Sequence, residues 1–428
     1  MRRISFCIIL TLCLCSSLFA IDFEGLAFAD YYGNIEPSTS FDHMRARVYY
    51  QPTFAGSMFD YALDYEISAN FYYDMYSDLN LIPWENIIRE AYVSVPLENF
   101  DLTLGQKTVS PGLADIFSPL NCVNGEYVTK LSLDDPYESR RGDVMLQVAY
   151  YPNYDDSIEL IYVPFPRPDY EPSGMVSIED TYVDIDVDFD NEPYMFSSPH
   201  SLFLSYYHYG LEYDLQLSYA YYTDQTPGFD LSGLTMDGAD LKGLIETIYT
   251  RNHTIGGAYS MNIGEIAWTE ELALNITEDF AGTDIGIRNS DITLDTQILG
   301  TLWGGTMAQL NIVYQYIFNF DKGSTDYSPE IEDILRRELN GYFNQPLQHV
   351  AFAILHLQNS LFHDRLAVSI NAGYLHPAVY LAPRVSFAIT DGLRLEAGAD
   401  IKTGVPTSAD LARGNLDDNY YVRVKYAY

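Results

Sequence analysis

Apolar and polar positions alternate one by one through most of the chain, the period of β-strands with two unlike faces. From Asp60 to Phe71 one face reads Tyr61, Leu63, Tyr65, Ile67, Ala69, Phe71, and the other Asp60, Ala62, Asp64, Glu66, Ser68, Asn70. The split recurs from His43 to Tyr50, where Met44, Ala46, Val48 and Tyr50 alternate with His43, Arg45, Arg47 and Tyr49. It returns at Leu211–Tyr219, Leu310–Asn319 and Leu393–Lys402. These segments are about ten residues long, which a tilted strand needs to cross a bilayer. Beyond residue 20 no stretch approaches the roughly 20 consecutive apolar residues of a membrane helix. Any membrane crossing therefore falls to strands.

The segments number about 18, with about 16 as the alternative count, and both are even, as in single-chain bacterial barrels. Their spacing adds an up-and-down order. Short gaps fall near Thr53, Glu98, Asn153, Gly210, Ile263, Gly304, Ser360 and Asp391. Long ones, 34–42, 72–86, 109–142, 165–199, 223–247, 278–290, 321–346 and 405–417, alternate with them, and only the gap at His376-Pro377 departs from the rule. The predicted fold is all-β: a transmembrane antiparallel up-and-down β-barrel with short periplasmic turns and long extracellular loops. In the loop at Pro329–Leu339, Ile331, Ile334, Leu335 and Leu339 stand at helical spacing and predict a short helix.

The last segment, Asn419–Tyr428, sets Tyr420, Val422, Val424, Tyr426 and Tyr428 on one face and Arg423 and Lys425 on the other. An apolar residue at every second position before a terminal aromatic resembles the C-terminal insertion signal of outer-membrane barrels, which implies outer-membrane lipid and the barrel-assembly machinery as partners. The other end agrees. Residues 1–20 read as a secretory signal, with Arg2 and Arg3 before an apolar stretch from Ile8 to Leu14 and a small-residue cleavage site at Phe19-Ala20. The expected organisation is a signal peptide, 1–20, followed by one barrel domain, 21–428, in the cell outer membrane. Cys7, Cys13 and Cys15 fall inside the signal, so Cys122 alone remains and no internal disulfide forms. A lipid anchor at Cys15 is disfavoured by Leu14 before it, where a small residue is usual.

Composition sharpens this picture. Among 428 residues there are 38 tyrosines and only 3 tryptophans, and tyrosine suits the aromatic girdles of a barrel because its ring is apolar and its tip polar. The net charge is −37, and removal of Arg2 and Arg3 leaves 60 acidic against 21 basic residues, or −39. Nucleic acid, which requires a basic footprint, is excluded as a partner.

A further resemblance spans most of the chain. Ile88-Arg89-Glu90-Ala91-Tyr92-Val93, Leu102-Thr103-Leu104-Gly105-Gln106, Gly112, Asp115 and Ser118-Pro119-Leu120-Asn121 resemble a family of porin-like outer-membrane barrels of the alginate-export or porin type, mostly of unassigned substrate. Thr269-Glu270-Glu271-Leu272-Ala273 and Pro383-Arg384-Val385 leading to Thr390-Asp391-Gly392-Leu393 are similar too. The family commonly has Arg after the glycine at 105 and Trp before the glycine at 112. Gln106 and Pro111 stand there in this chain, so no substrate is carried over.

The lumenal faces supply the candidate site. Basic residues form one expected wall near the meeting of the chain ends: Arg45, Arg47, Arg365, Arg384, Arg394, Lys402, Arg423 and Lys425. Asp60, Asp64, Glu66, Glu212 and Asp214 form an acidic one. Opposed walls select ions by their field, or else neutralise one another in structural networks. Neutralising Arg423 and Lys425 is expected to shift selectivity toward cations. A hairpin turning through Leu97–Phe100 sets Tyr92 opposite Gly105 and predicts a lumenal ion pair between Glu90 and Lys107. Loop 109–142 either folds into the barrel or lies on its surface. Asp184, Asp186, Asp188 and Asp190 form an oxygen-rich run without EF-hand spacing, a weak calcium candidate or a solvated ribbon.

No catalytic triad, metal-ligand spacing or Gly-rich phosphate loop stands out, so neither an enzyme nor a cofactor is expected. The expectation is a passive or weakly selective channel for small hydrophilic solutes. Its alternative is a barrel-anchored adhesin acting through acidic, Tyr-rich extracellular loops.

Overall fold

A computed structural model describes residues 19–34, 45–59, 62–74, 87–115, 117–126, 140–170, 177–180, 182–188, 200–323, 325–375, 378–403 and 419–428. The wall begins with β1 (Phe19–Asn34), β2 (Arg45–Met58) and a third strand in two pieces, β3 (Leu63–Ala69) and β4 (Phe71–Asp74). It continues through β5 (Ile88–Pro96), β6 (Phe100–Lys107), β7 (Asp143–Tyr150) and β8 (Asp156–Val163). Two short strands, β9 (Ser177–Asp180) and β10 (Val183–Asp188), leave the wall before β11 (Ser201–Tyr209) and β12 (Tyr213–Thr223) rejoin it. A second excursion holds β13 (Gly228–Asp230), β14 (Leu234–Asp237) and β15 (Asp240–Ile248). Next come β16 (Arg251–Ile263), β17 (Ile266–Thr277), β18 (Asp291–Thr301) and β19 (Met307–Ile317). After helix α1 (Pro329–Tyr342), the wall is completed by β20 (His349–Leu361), β21 (Leu366–Leu375), β22 (Ala378–Ala388), β23 (Leu393–Thr403) and β24 (Asn419–Ala427).

Each wall strand is antiparallel to its neighbours, and β24 pairs with β1, so the sheet closes as an 18-strand barrel. Closure removes every unpaired edge, the condition for a sheet to stand in hydrocarbon. The terminal residue seals the join: Gly25 N donates to Tyr428 O at 3.0 Å, and Tyr428 N to Gly25 O at 3.1 Å. Period two holds round the barrel. On β2, Val48, Tyr50 and Phe54 are exposed outward while Tyr49 is buried inward; on β24, Tyr420, Val422, Val424 and Tyr426 are exposed outward and Tyr421 is buried.

One turn differs from the sequence reading. The chain does not reverse near Thr53; β2 runs on to Met58, and the reversal begins at Phe59, whose φ is 56°. Pro52 stays in the strand opposite Gly25. Having no N–H to donate, it marks a break in the ladder on its other side, where pairing stops at Thr53↔Ser68 and resumes at Tyr50↔Phe71. That break divides β3 from β4. Glu212 and Arg365 likewise lie in turns before β12 and β21, not on the lumenal wall.

The long excursions build a second layer with its own core. A five-stranded sheet, ordered β13-β15-β10-β9 with β14 also on β15, pairs β10 and β15 in parallel. Val183, Ile185, Val187, Leu241 and Ile245 pack with Ile331, Leu335 and Leu339 of α1. Ser328 caps α1 by accepting from Ile331 N, and Pro329 occupies the first turn, where a missing N–H costs nothing. Asp184 and Asp186 point outward from β10 and are exposed. A strand sets alternate side chains roughly 6.6 Å apart along a flat face, so Asp184 and Asp186 stand as neighbours on an exposed strand face. No group of three or more His, Cys, Asp or Glu among the described residues could hold a metal ion, and Asp190 lies outside them.

Candidate pore constriction

Beyond Lys107 the sequence Thr108-Val109-Ser110-Pro111-Gly112 ends strand β6 and turns the chain inward. Described through Glu126, this loop lies against the lumenal faces of distant strands. Tyr207 of β11 donates its hydroxyl to Pro111 O at 3.1 Å. Glu271 of β17, its residue fully buried, accepts Leu113 N at 2.5 Å and Ala114 N at 2.7 Å on one oxygen, and the Ser118 hydroxyl on the other. Gln297 of β18 grips Asp115 twice, accepting its N–H at 2.9 Å and donating to its carboxylate at 3.0 Å. Phe117 meets Phe352 of β20 edge to face at 5.4 Å. Leu120 packs on Ala258 and Ala273. The described part of this loop, up to Glu126, therefore lies inside the barrel.

The clamp requires Gly112, because a Cβ there would stand 1.9 Å from Ser118 Oγ and 3.0 Å from Glu271 Oε1. The base of the loop is fastened too. Val109 N donates to Asn124 Oδ1 at 2.7 Å, and Asn124 donates to the buried Asp143, which also holds Arg167 at 3.3 Å. Cys122 packs beside Val123 and Tyr222. Burial, aided by the negative charge of Asp224, pushes its thiol up to about 12.

The described residues of the loop lie against the wall from β11 to β20, and no described hydrogen bond joins them to the seam of β1, β2, β23 and β24 across the lumen. Here the structure changes the expected basic wall. Asp30 of β1, with a fully buried side chain, stands between Arg47 and Arg423, its register partners on either side. Arg47 grips it at 2.9 and 2.8 Å, and Arg423 reaches it at 3.1 Å while also lying 3.8 Å from Glu396. Aromatic rings hold the guanidinium groups in place: Arg47 over Tyr32 at 4.0 Å and Arg423 over Phe28 at 4.5 Å. Both arginines are therefore neutralised by Asp30 and Glu396, acids outside the expected acidic wall, although Asp30 sits in period with Phe28 and Tyr32 on an evident strand.

Lys425 and Arg394 face each other across β24 and β23, and neither makes an ion pair with a described residue. Arg384 lies on β22 opposite Ser369 and Gly398. Arg45 and Lys402 hold ladder positions opposite Tyr32 and Tyr380. Of the acidic set, Asp64 accepts from Ser57 Oγ at 2.5 Å, Glu66 accepts from Tyr92 OH at 2.8 Å, and Asp214 sits on β12 opposite Tyr209. Asp60 lies outside the described residues.

Tyr92 does stand opposite Gly105, where any Cβ would lie 2.3 Å from Ala91 O. The Glu90–Lys107 ion pair does not form. The Glu90 carboxylate turns back to accept Thr108 N at 3.0 Å, capping the start of the loop. Lys107 donates to Gln147 at 3.1 Å and lies over the Tyr92 ring at 5.1 Å. The backbone donor just past the strand end wins the carboxylate.

No family model matches the chain. No curated protein matches it by sequence. Solved structures do resemble it in fold. A BenF-like porin from Pseudomonas fluorescens Pf-5 superposes with a TM-score of 0.53 at 9% identity, over 96% of this chain and 98% of that one. The outer membrane protein OpdK from Pseudomonas aeruginosa gives 0.52 at 9% identity over 96% and 99%. OccAB3 of Acinetobacter baumannii gives 0.50 at 10% identity over 95% and 99%. Identity this low shows a shared barrel fold and leaves the alginate-export subtype and the solute to other arguments.

Proposed function

We propose that the protein is an outer-membrane channel for small hydrophilic solutes, exported by residues 1–20 and inserted through the signal at Tyr420, Val422, Val424, Tyr426 and Tyr428. One observation carries this reading: a loop laid inside a closed barrel and fixed there by Glu271 and Gln297. A narrowing stitched to the wall by buried polar groups has a use in a conduit. An anchor for surface loops has none for it, so the adhesin reading is not favoured. The wall opposite the loop carries Tyr32, Arg47, Gln51 and Arg423, a surface suited to hydrated solutes. The finer reading is passive or weakly selective passage, since Arg47 and Arg423 are balanced by Asp30 and Glu396. Purified protein added to a planar bilayer is expected to give discrete conductance steps. A correctly folded barrel that stays closed to ions would overturn the proposal.

A further inference from the structure

Glu270 lies on the outer face of β17, between the inward-facing, buried Thr269 and Glu271. Its ladder partners, Tyr259 on β16 and Thr296 on β18, face outward with it. Trp268 Nε1 donates to one carboxylate oxygen and Thr296 Oγ1 to the other, each at 2.9 Å. The Trp268 ring stands edge to face with Tyr259 at 6.3 Å, and Tyr259 stacks on Tyr213 at 5.6 Å. Both donors are neutral, so they orient the carboxylate without cancelling its charge. An ionisable side chain turned toward lipid is costly unless something answers it. The other outward carboxylate within a described wall strand, Asp156 at the start of β8, is answered by His208 at 2.8 Å and Tyr206 at 2.7 Å. Glu270 has no described cation beside it.

Height and chemistry determine which cation suits this carboxylate. Glu270 lies near the Gly264 turn, on the short-turn rim that also carries Tyr428, at the level of an aromatic girdle where lipid headgroups lie. On β12 and β16–β19 the one outward-facing Lys or Arg among the described residues is Arg251, at the opposite end of β16. A second copy docking through this face would therefore bring no cation to Glu270. We propose that Glu270, flanked by Trp268 and Tyr259, binds the ammonium headgroup of a phospholipid in the leaflet at the short-turn rim. The carboxylate supplies the countercharge and the indole a cation–π face, the pair of features that selects ammonium groups. The same charge repels headgroups that are only anionic.

The test uses the whole protein in vesicles containing equal amounts of ethanolamine- and glycerol-headed phospholipids with identical acyl chains. After gentle detergent release, mass spectrometry counts the lipids that stay bound. Wild type is expected to retain the ethanolamine lipid over the glycerol lipid by about two- to fivefold. Glu270→Gln and, separately, Trp268→Leu should bring the ratio close to unity, with single-channel conductance and heat-dependent gel mobility unchanged as proof of folding. Parity in wild type, or an undiminished preference in folded Glu270→Gln, would overturn the proposal. So would an oligomer that Glu270→Gln splits while wild type shows no headgroup preference, which would assign the carboxylate to contact between copies.

Discussion

At the scale of single residues, two buried carboxylates organise the lumen, and their removal should have opposite signatures. Glu271 holds the constriction: two backbone N–H groups and one hydroxyl point at it. Glu271→Ala strands those donors, at about 1–3 kcal/mol for each one left without a partner. The expected result is a loop that leaves the wall, seen as larger and noisier single-channel conductance while the barrel remains folded. Cys122 reports the same event chemically. With its thiol pushed up to about 12, thiolate is scarce at pH 8, and maleimide should label it on the order of a thousandfold more slowly than a free thiol. Glu271→Ala should speed the labelling at pH 8; a fast wild-type reaction would contradict this packing. Asp30 works differently, because it neutralises two arginines while making no contact with the loop that any described hydrogen bond records. Asp30→Asn leaves Arg47 and Arg423 facing each other, which should cost about 3–5 kcal/mol in urea unfolding and raise anion preference without enlarging the conductance.

Among the elements, the strands were legible because a wall residue has only two environments, lipid or lumen, and period two writes that choice into each side chain. Local chemistry alone misplaces a turn where the partner strand decides: Pro52-Thr53 resembles a turn, but Pro52 stands in β2 opposite Gly25. The short helix was legible for the same reason as the strands, since Ile331, Leu335 and Leu339 form one stripe. What that stripe packs against was not. Its partners, β10 and β15, come from separate loops and meet in parallel, an arrangement with no local signature. This outer layer has a core distinct from the barrel, so the two should fail separately. Leu335 is fully buried there, and Leu335→Ala should cost that layer about 2–5 kcal/mol. Limited proteolysis is expected to cut within residues 177–248 and 325–346 of the variant while the barrel keeps its heat-dependent mobility. Loss of the barrel along with the layer would show that they fold as one unit.

For the whole molecule, the sequence reveals on which strands the lumenal charges lie but not which of them remain free, because that depends on neighbours across a seam joining residues almost the full chain apart. Arg423 and Arg47 had looked like parts of one basic wall, yet Asp30 lies between them. Glu90 and Lys107 had looked like a pair, yet each has another partner. The expectation that neutralising Arg423 and Lys425 together shifts selectivity can therefore be divided. Charge already cancelled at close range contributes little to the field in the opening, whereas an unpaired charge acts over roughly 8–10 Å at moderate salt. Lys425 and its neighbour Arg394 face each other on the ladder and make no ion pair with a described residue. Lys425→Gln with Arg394→Gln should move the reversal potential in a salt gradient clearly toward cations, and the move should shrink as salt rises. Arg423→Gln alone has a different consequence: Arg47 still holds Asp30, so the selectivity change should be smaller and unfolding should come earlier. If Arg423→Gln shifted selectivity as much as the double variant, the seam network would not be neutralising its arginines, and the field in the opening would have to be assigned to the seam itself.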